Sequence, residues 1–320
     1  MKNKKKILFL SCGLNSAYHA IKILKEKYGN YFYLIGVDCN HKELVASSTM
    51  LDKFYKVVYS NDSKFYSQII KIIDDEKIDI IFPIFDFDQK IFNKNNSDLN
   101  NRGILTTAPK QEIFNFYGDK LKLSEFLKEN KLPIPKYFLK NQINPNKEYF
   151  LKPKEGVGSV NSQKLIGKKI LEIKEIDKFI IQELCKEPEY TTEVFCYKNI
   201  INTVTRKRIE TKAGICTKTC VFKNIKLEKI VKKLIQKIEV PNCFNLQFMK
   251  TNKNKFVITD VNFRLAGGMG LSYKAGWDEI SALADIWLGK SEKEIFSHFK
   301  LNFKKQWIVR VYEDIITKSE

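Results

Sequence analysis

One carboxylate, three carboxamides and a guanidinium recur at alternate positions in the stretch from Asn245 to Gly270, NLQFMKTNKNKFVITDVNFRLAGGMG. Two runs of alternating polar and apolar residues flank the polar cluster Asn252-Lys253-Asn254-Lys255, a pattern that predicts a β-hairpin. With Thr251 opposite Phe256, the register sets Gln247 across from Asp260, Leu246 across from Val261 and Phe248 across from Thr259. A side-chain period of two then puts Asn245, Gln247, Asp260, Asn262 and Arg264 on one face. Leu246, Phe248, Val257, Val261 and Phe263 share the other, the core face. Opposed side chains sit roughly 4.5–5.5 Å apart at Cβ, so the carboxylate and amide oxygens can converge on one point. Oxygen ligands with few carboxylates suit Mg²⁺ held jointly by protein and a substrate phosphate, with the arginine facing developing negative charge. An amphipathic hairpin with a wet polar face satisfies the same pattern. An EF-hand does not, because Arg264 and the missing turn glycine break its loop.

Two more stretches carry chemistry. Strand Glu148 to Lys152 runs into Pro153-Lys-Glu-Gly-Val-Gly158-Ser159 and then a second strand near Gln163 to Ile166. Strand–glycine loop–strand is not a P-loop, which opens a helix. A glycine hairpin can still lay backbone N–H groups over phosphates, with Lys152 at its base reaching their oxygens; a flexible hairpin with a surface lysine is the plain alternative. Farther on, the apolar strand Phe179 to Glu183 ends in a short acidic turn before a strand over Thr192 to Tyr197. Hinge backbone there can hold an adenine and a nearby carboxylate a ribose, or the acids simply face water. Residues 200–222 alternate as two more strands carrying Arg206 and Arg208.

The elements that must position these groups begin with a βαβ unit: strand 6–12, helix Ala17 to Tyr28, strand Tyr31 to Asp38. SCGLNSA holds one glycine, too few for a dinucleotide fingerprint, so Asp38 is expected to be a turn residue. Helix Ser63 to Glu76 leads to strand 78–82, whose following loop carries Asp86 and Asp88, expected as exposed acids that can alternatively face a substrate. This first domain ends near Ala108-Pro109. A helix over Asp119 to Asn130 is closed by Pro133-x-Pro135, and later helices are expected over Leu227 to Ile238 and Trp277 to Leu288. A final strand is expected over Trp307 to Tyr312.

With 320 residues and 43% hydrophobic content, the chain has room for two or three globular domains. The net charge of +19 comes from scattered lysines; only Arg102, Arg206, Arg208, Arg264 and Arg310 are arginines. Phosphate and base recognition favours arginine, so no nucleic acid partner is expected, and a general pull on anionic substrates is. Seven cysteines without a CxxC pair, and three histidines of which His41 alone lies near a cysteine (Cys39), suggest neither a zinc site nor disulfides, and hence a cytoplasmic protein. The apolar run Ile7 to Leu10 is far shorter than a signal-peptide core, and no run approaches a membrane span.

Taken in order, Lys120 before a helix, Lys152 with the glycine loop, Gln182 to Cys185 with Glu189, Gln247, and Asp260-x-Asn262-x-Arg264 resemble the ATP-grasp superfamily. The similarity is to its carbamoyl-phosphate-synthase-like carboxylate–amine ligases, and it covers essentially the whole chain. The resemblance implies an α/β (α+β ATP-grasp) architecture: a parallel-sheet pre-ATP-grasp domain over 1–112, a small lobe over 113–185 and a large lobe over 186–320. It implies ATP and Mg²⁺ as cofactors, with Lys120 and Lys152 on the phosphates under Gly156, Gly158 and Ser159. Gln182, Glu183, Leu184 and Cys185 would form the adenine hinge and Glu189 would hold the ribose. Gln247 and Asp260 would bind one Mg²⁺, Asp260 and Asn262 a second. Arg264 would stabilise an acyl phosphate, and Arg206 or Arg208 would orient a substrate carboxylate. The family usually places glutamate where Asp260 stands, which leaves one metal or two open. The partners implied are a small carboxylate and a nucleophile, with a homo-oligomer left open. A kinase-like phosphotransferase and a non-catalytic nucleotide-binding protein remain the alternatives.

Overall fold

A computed structural model describes residues 4–94, 96–110, 112–113, 116, 118–156, 161–212 and 214–319 of the chain. Its first sheet holds β1 (Lys5–Leu10), β2 (Phe32–Asp38), β3 (Lys53–Lys56), β4 (Ile80–Pro83) and β5 (Leu105–Thr106). All pairs are parallel, in the order β3-β2-β1-β4-β5. A parallel strand covered on both faces reads as an unbroken apolar run. Ile7 and Phe9 of β1 accordingly pack with Ala17, Ile21 and Leu24 of α1 (Asn15–Tyr28), whereas Leu8 and Leu10 pack with Phe65, Ile69 and Ile73 of α2 (Phe65–Glu76). Two shorter helices follow β4, α3 (Asp86–Lys94) and α4 (Asn96–Asn101).

After β5 comes α5 (Lys120–Glu129), whose N-cap Asp119 accepts from the N–H groups of Leu121 and Lys122. The second sheet is built from β6 (Tyr137–Phe138), β7 (Glu148–Pro153), β8 (Gln163–Ile166) and, beyond α6 (Gly167–Leu171), β9 (Phe179–Glu183). Its order is β6-β9-β7-β8 and its pairs are antiparallel. Tyr149, Leu151, Ile170 and Ile181 form its core.

The third sheet holds β10 (Lys186–Tyr197), β11 (Ile200–Lys212), β12 (Ile215–Phe222), β13 (Cys243–Lys250), β14 (Phe256–Asn262) and β15 (Gln306–Val309), in the order β14-β13-β10-β11-β12-β15. Helix α7 (Ile225–Ile235) packs its Leu227, Val231 and Leu234 against Phe244, Leu246 and Phe248 of β13. Helices α8 (Met269–Lys274), α9 (Glu279–Trp287) and α10 (Glu292–Phe296) bridge back to the first sheet. There Trp287 meets Phe32 and Phe82 edge-on. Among the described residues no helix is long and apolar enough to cross a membrane.

Four local expectations need correction. The acidic stretch before Thr192 belongs to β10, which begins at Lys186 with a register irregularity between Lys186 and Tyr190 rather than with a turn. In the hairpin, Gln247 does oppose Asp260 and Leu246 opposes Val261, but Phe248 opposes Ile258 and Phe256 opposes Lys250. A bulge leaves Thr259 as the extra residue, so the alternation reverses before it: Phe256 and Ile258 face the core cluster, and Val257 does not. Asp86 and Asp88 are not exposed loop acids. They open α3, and Asp88 is fully buried. Asp38 ends β2 and is 6% exposed; its carboxylate accepts from the N–H groups of Gly13 and Asn40, so it holds the turn after β1 instead of forming one.

Candidate functional site

The strand registers lay the polar residues out as a grid. One row crosses four strands as Arg206–Thr191–Gln247–Asp260, and the next as Val204–Glu193–Asn245–Asn262. The period of two keeps both rows on one face. Asp260 and Gln247 are half-buried, and the Asp260 carboxylate accepts from the neighbouring Val261 N–H at 3.1 Å. The Asn262 amide meets Asn245 Oδ1 at 3.4 Å, which fixes it within the row. Arg264, just beyond β14, turns toward the first sheet: Nε and Nη2 reach Asp86 at 2.7 and 3.0 Å, and Nη1 donates to Leu265 O at 3.1 Å.

Facing this row from the second sheet is Lys152, 8% exposed, whose ammonium donates to Thr259 O at 2.9 Å. The bulge explains that contact, because the extra residue aims a carbonyl out of the ladder toward the lysine. Burial pushes the Lys152 pKa down; Asp260 opposes the shift and Lys120 adds to it. Lys120 opens α5 and donates through Nζ to Gly156 O at 2.8 Å, while its backbone N–H binds Lys154 O. Lys120, Lys152, Thr259 and Asp260 thus line one small cleft. Gly156 adopts φ +116°, a backbone conformation that favours glycine, with no atom within 4 Å of where a Cβ would stand. Gly158 and Ser159 lie outside the described residues.

The hinge expected over Gln182 to Cys185 spans the junction of the two antiparallel sheets. β9 ends at Glu183 and β10 begins at Lys186, so Leu184 and Cys185 lie outside both ladders. Glu183 is held on both sides by Lys136, through its N–H to Lys136 O and its carboxylate to Lys136 N, each at 2.8 Å. Gln182 is 4% exposed and enclosed in the sheet, so its side chain forms wall rather than open surface. Burial raises the Cys185 thiol to about 11. Glu189 pairs with Arg208 at 2.5 Å, and burial raises its pKa against the pull of that guanidinium. Arg208 Nε is buried without a hydrogen-bond partner among the described residues.

Arg206 is not an open cation. It is 2% exposed, its Nε donates to Glu193 at 2.6 Å, and Ser272 Oγ donates to the same carboxylate oxygen at 2.8 Å. Gly268 lies directly against it: a Cβ there would sit 2.4 Å from Arg206 Nη1. Sequence reasoning passed over Glu193, although it shares the period of two with Glu189 and Thr191. It also passed over Arg310, which follows β15 with its N–H on Thr217 O. Arg310 Nη2 is buried without a partner among the described residues, and burial together with Arg206 lowers its pKa. His19 of α1 belongs to the same region, packed where Gly270 has no side chain. Burial, then Arg310, Lys22 and Lys274, push it down to about 4, so its ring is neutral at physiological pH. Neither Arg310 nor His19 lies in a motif that spacing could reveal.

The donors fit a divalent cation held jointly with phosphate oxygens. Among the described residues no three histidine, cysteine or acidic side chains gather as a metal cage, whereas Asp260 and Gln247 stand opposed beside two lysines. One carboxylate with amide oxygens matches a hard ion that completes its shell from a nucleotide and water.

Comparison with known proteins agrees with this arrangement. Residues 175–311 match the family model described as ATP-grasp in the biosynthetic pathway with Ter operon, and residues 7–107 match a PylC-like N-terminal domain. Similar solved structures include N5-carboxyaminoimidazole synthetase from Staphylococcus aureus, with TM-score 0.70 and 14% identity over 91% of this chain and 79% of that one. Biotin carboxylase from Campylobacter jejuni, in complex with an ATP analogue, gives TM-score 0.70 and 16% identity over 90% and 72%. The biotin carboxylase domain of Hydrogenobacter thermophilus 2-oxoglutarate carboxylase, bound to MgADP, ADP and bicarbonate, gives 0.68 and 13% over 94% and 72%. No match to a curated protein sequence is found. Residues 175–311 thus match an ATP-grasp family and residues 7–107 a PylC-like N-terminal one, on a fold in which a parallel-sheet domain is followed by two antiparallel sheets with a lysine-lined cleft between them.

Proposed function

We propose that the protein is an ATP-dependent, ADP-forming ligase that activates a small carboxylate as an acyl phosphate and passes the acyl group to an amine or similar nucleophile. The observation that carries this reading is the convergence of Lys120, Lys152 and Asp260 on one cleft, continued by Gln247 and Asn262 along the same sheet face, with Arg264 just beyond the strand. Lys120 and Lys152 neutralise nucleotide phosphates under the loop that begins at Gly156, and Leu184 and Cys185 offer unladdered backbone to the base. Glu189, despite its pairing with Arg208, is the carboxylate we assign to the ribose. Asp260 and Gln247, with Asn262 beside them, would hold Mg²⁺, which draws charge off the transferring phosphoryl group when bound. Phosphoryl transfer asks side chains mainly for positioning and charge neutralisation, and these residues offer both. Arg264 faces the charge that develops on the acyl phosphate. Arg206 and Arg208 are already paired, so Arg310 is the arginine best placed to receive the substrate carboxylate.

The test offers Mg·ATP with pools of carboxylic acids and amines, comparing wild type with Asp260→Asn. ADP and phosphate released only when both pools are present, and lost in the variant, is the expected outcome. A stable phosphorylated acid formed without an amine would make the protein a phosphotransferase, and AMP as product would overturn the reading.

A further inference from the structure

The ligase reading leaves one buried cluster of charges without a task. Glu193 of β10 and Glu279, which opens α9, are each 1% exposed, and Arg206 of β11 is 2% exposed. Glu193 Oε1 accepts from Arg206 Nε at 2.6 Å and from Ser272 Oγ at 2.8 Å. Glu193 Oε2, Glu279 Oε1 and Trp277 Nε1 are buried without a hydrogen-bond partner among the described residues. The Cys243 thiol of β13 hydrogen-bonds Glu279. Asp278 beside it is taken by Lys27 of α1 at 2.6 Å and by Ser281 Oγ at 2.7 Å. Farther along α9, Asp285 holds Tyr28 of α1 at 3.1 Å and His298 at 2.7 Å. The charges that act on Arg310 are Arg206, Cys216 and Tyr312, and neither glutamate is among them. The cluster therefore sets two carboxyl groups against one guanidinium. A buried charge without a partner is strongly disfavoured, and a proton on one acid removes it.

We infer that Glu279 is a positioning residue: it stays protonated at neutral pH, and as a neutral acid it leaves Arg206 to Glu193. The proton falls to Glu279 because Glu193 already receives a guanidinium and a hydroxyl, each of which needs an acceptor. Burial raises the Glu279 carboxyl well above the usual range; Glu193 and Asp278 add to the shift, while Trp277 and Arg206 oppose it. An ionised Glu279 would compete with Glu193 for the guanidinium. Gly268 packs so closely on Arg206 that a Cβ there would stand 2.4 Å from Nη1. A displaced Arg206 would therefore press on the turn that follows Arg264. The neutral acid thus fixes that turn from behind, a role that goes beyond the ligase reading and does not depend on it.

The experiment reads the proton directly. Infrared spectra at pH 7.5 compare wild type with Glu279→Gln, which keeps the shape and cannot ionise. Glutamate labelled with ¹³C at the side-chain carboxyl sets its acid band apart from that of Asp88. Wild type should show a labelled carboxylic acid band that Glu279→Gln lacks. Denaturant unfolding gives the linked measure. An acid protonated in the folded chain and ionised in the unfolded one lowers stability as the pH rises above about 4.3, the ordinary glutamate value. The advantage of Glu279→Gln in the folding constant should therefore grow at least tenfold from pH 5.5 to 7.5. Raising the pH until the labelled band disappears should shift the Arg206 Nε–H resonance of wild type in ¹⁵N-arginine spectra and leave it unmoved in Glu279→Gln. No labelled acid band in wild type, the same band in Glu279→Gln, an advantage that grows less than tenfold, or an Arg206 resonance indifferent to the band would overturn the inference. Should Glu279→Gln not fold, Glu189→Gln, which removes another glutamate that burial raises, must leave the wild-type band in place, and its loss would overturn the inference equally. None of these readouts needs turnover, so failure of the ligase reading would leave them standing.

Discussion

Lys152 carries an ammonium on a side chain that is 8% exposed, held by a carbonyl and by the nearby Asp260 carboxylate. Such a group costs desolvation that only an anion repays in full. Lys152→Met keeps the shape and removes the charge. Its affinity for Mg·ATP, measured by calorimetry, should fall roughly 10- to 100-fold, the worth of a charge-assisted hydrogen bond of about 1.5–3 kcal/mol, while the melting temperature moves by only a few degrees. Asp88 makes a second prediction. Burial lifts its carboxyl to about 7, with Asp38 and Asp86 adding to the shift and the Ser11 hydroxyl, which donates at 2.6 Å, opposing it. Because the folded carboxyl binds its proton more tightly than the unfolded one, stability falls as the pH rises from about 4 to about 7. Asp88→Asn keeps an acceptor for Ser11 and should abolish that slope. Above pH 7 it should stabilise by up to something on the order of 4 kcal/mol, read from chemical denaturation at pH 5 and pH 8.

The turn Gly267 to Gly270 sets the position of Arg206 and meets the first sheet's α1. Asn15 Nδ2 donates to Gly267 O at 3.3 Å, and His19 occupies the space beside Gly270. Gly268→Ala should destabilise by about 1–3 kcal/mol, since its Cβ would drive Arg206 from Glu193. Gly267→Ala meets nothing within 4 Å and is the control expected to leave the unfolding midpoint unchanged. At this scale part of the candidate site was legible: the period of two placed Gln247 opposite Asp260 and set Asn262 on their face, whereas Arg264 lies beyond the strand and turns to Asp86. What escaped was the bulge at Thr259, because one extra residue leaves no mark in composition yet reverses Val257 and Ile258. The partners of the arginines escaped as well. Asp86 lies 178 residues before Arg264 and Glu193 lies 13 before Arg206, and single-sequence spacing has no means of joining them. The β1 run was readable as a buried parallel strand, whereas the four-residue β3 and two-residue β5 are too short to show a period.

The whole molecule carries a formal charge of +19, and its candidate nucleotide cleft is walled by lysines. Long-range attraction of this kind is screened over a Debye length of about 10 Å at 0.1 M salt. The association rate of Mg·ATP, measured by stopped flow, should therefore fall between 0.01 and 0.15 M ionic strength; an unchanged rate would mean that the lysines act only at contact. The same three-sheet body is tied together at Arg264. Every nitrogen of that guanidinium already has a partner, two of them on the first domain's Asp86. A phosphoryl oxygen that claims Arg264 must compete with Asp86, so occupancy of the cleft and cohesion between the domains draw on one cation. Reciprocity follows: if nucleotide weakens the contact between Arg264 and Asp86 by some factor, that contact weakens nucleotide binding by the same factor, so cutting it with Asp86→Asn should tighten Mg·ATP binding while loosening the first domain.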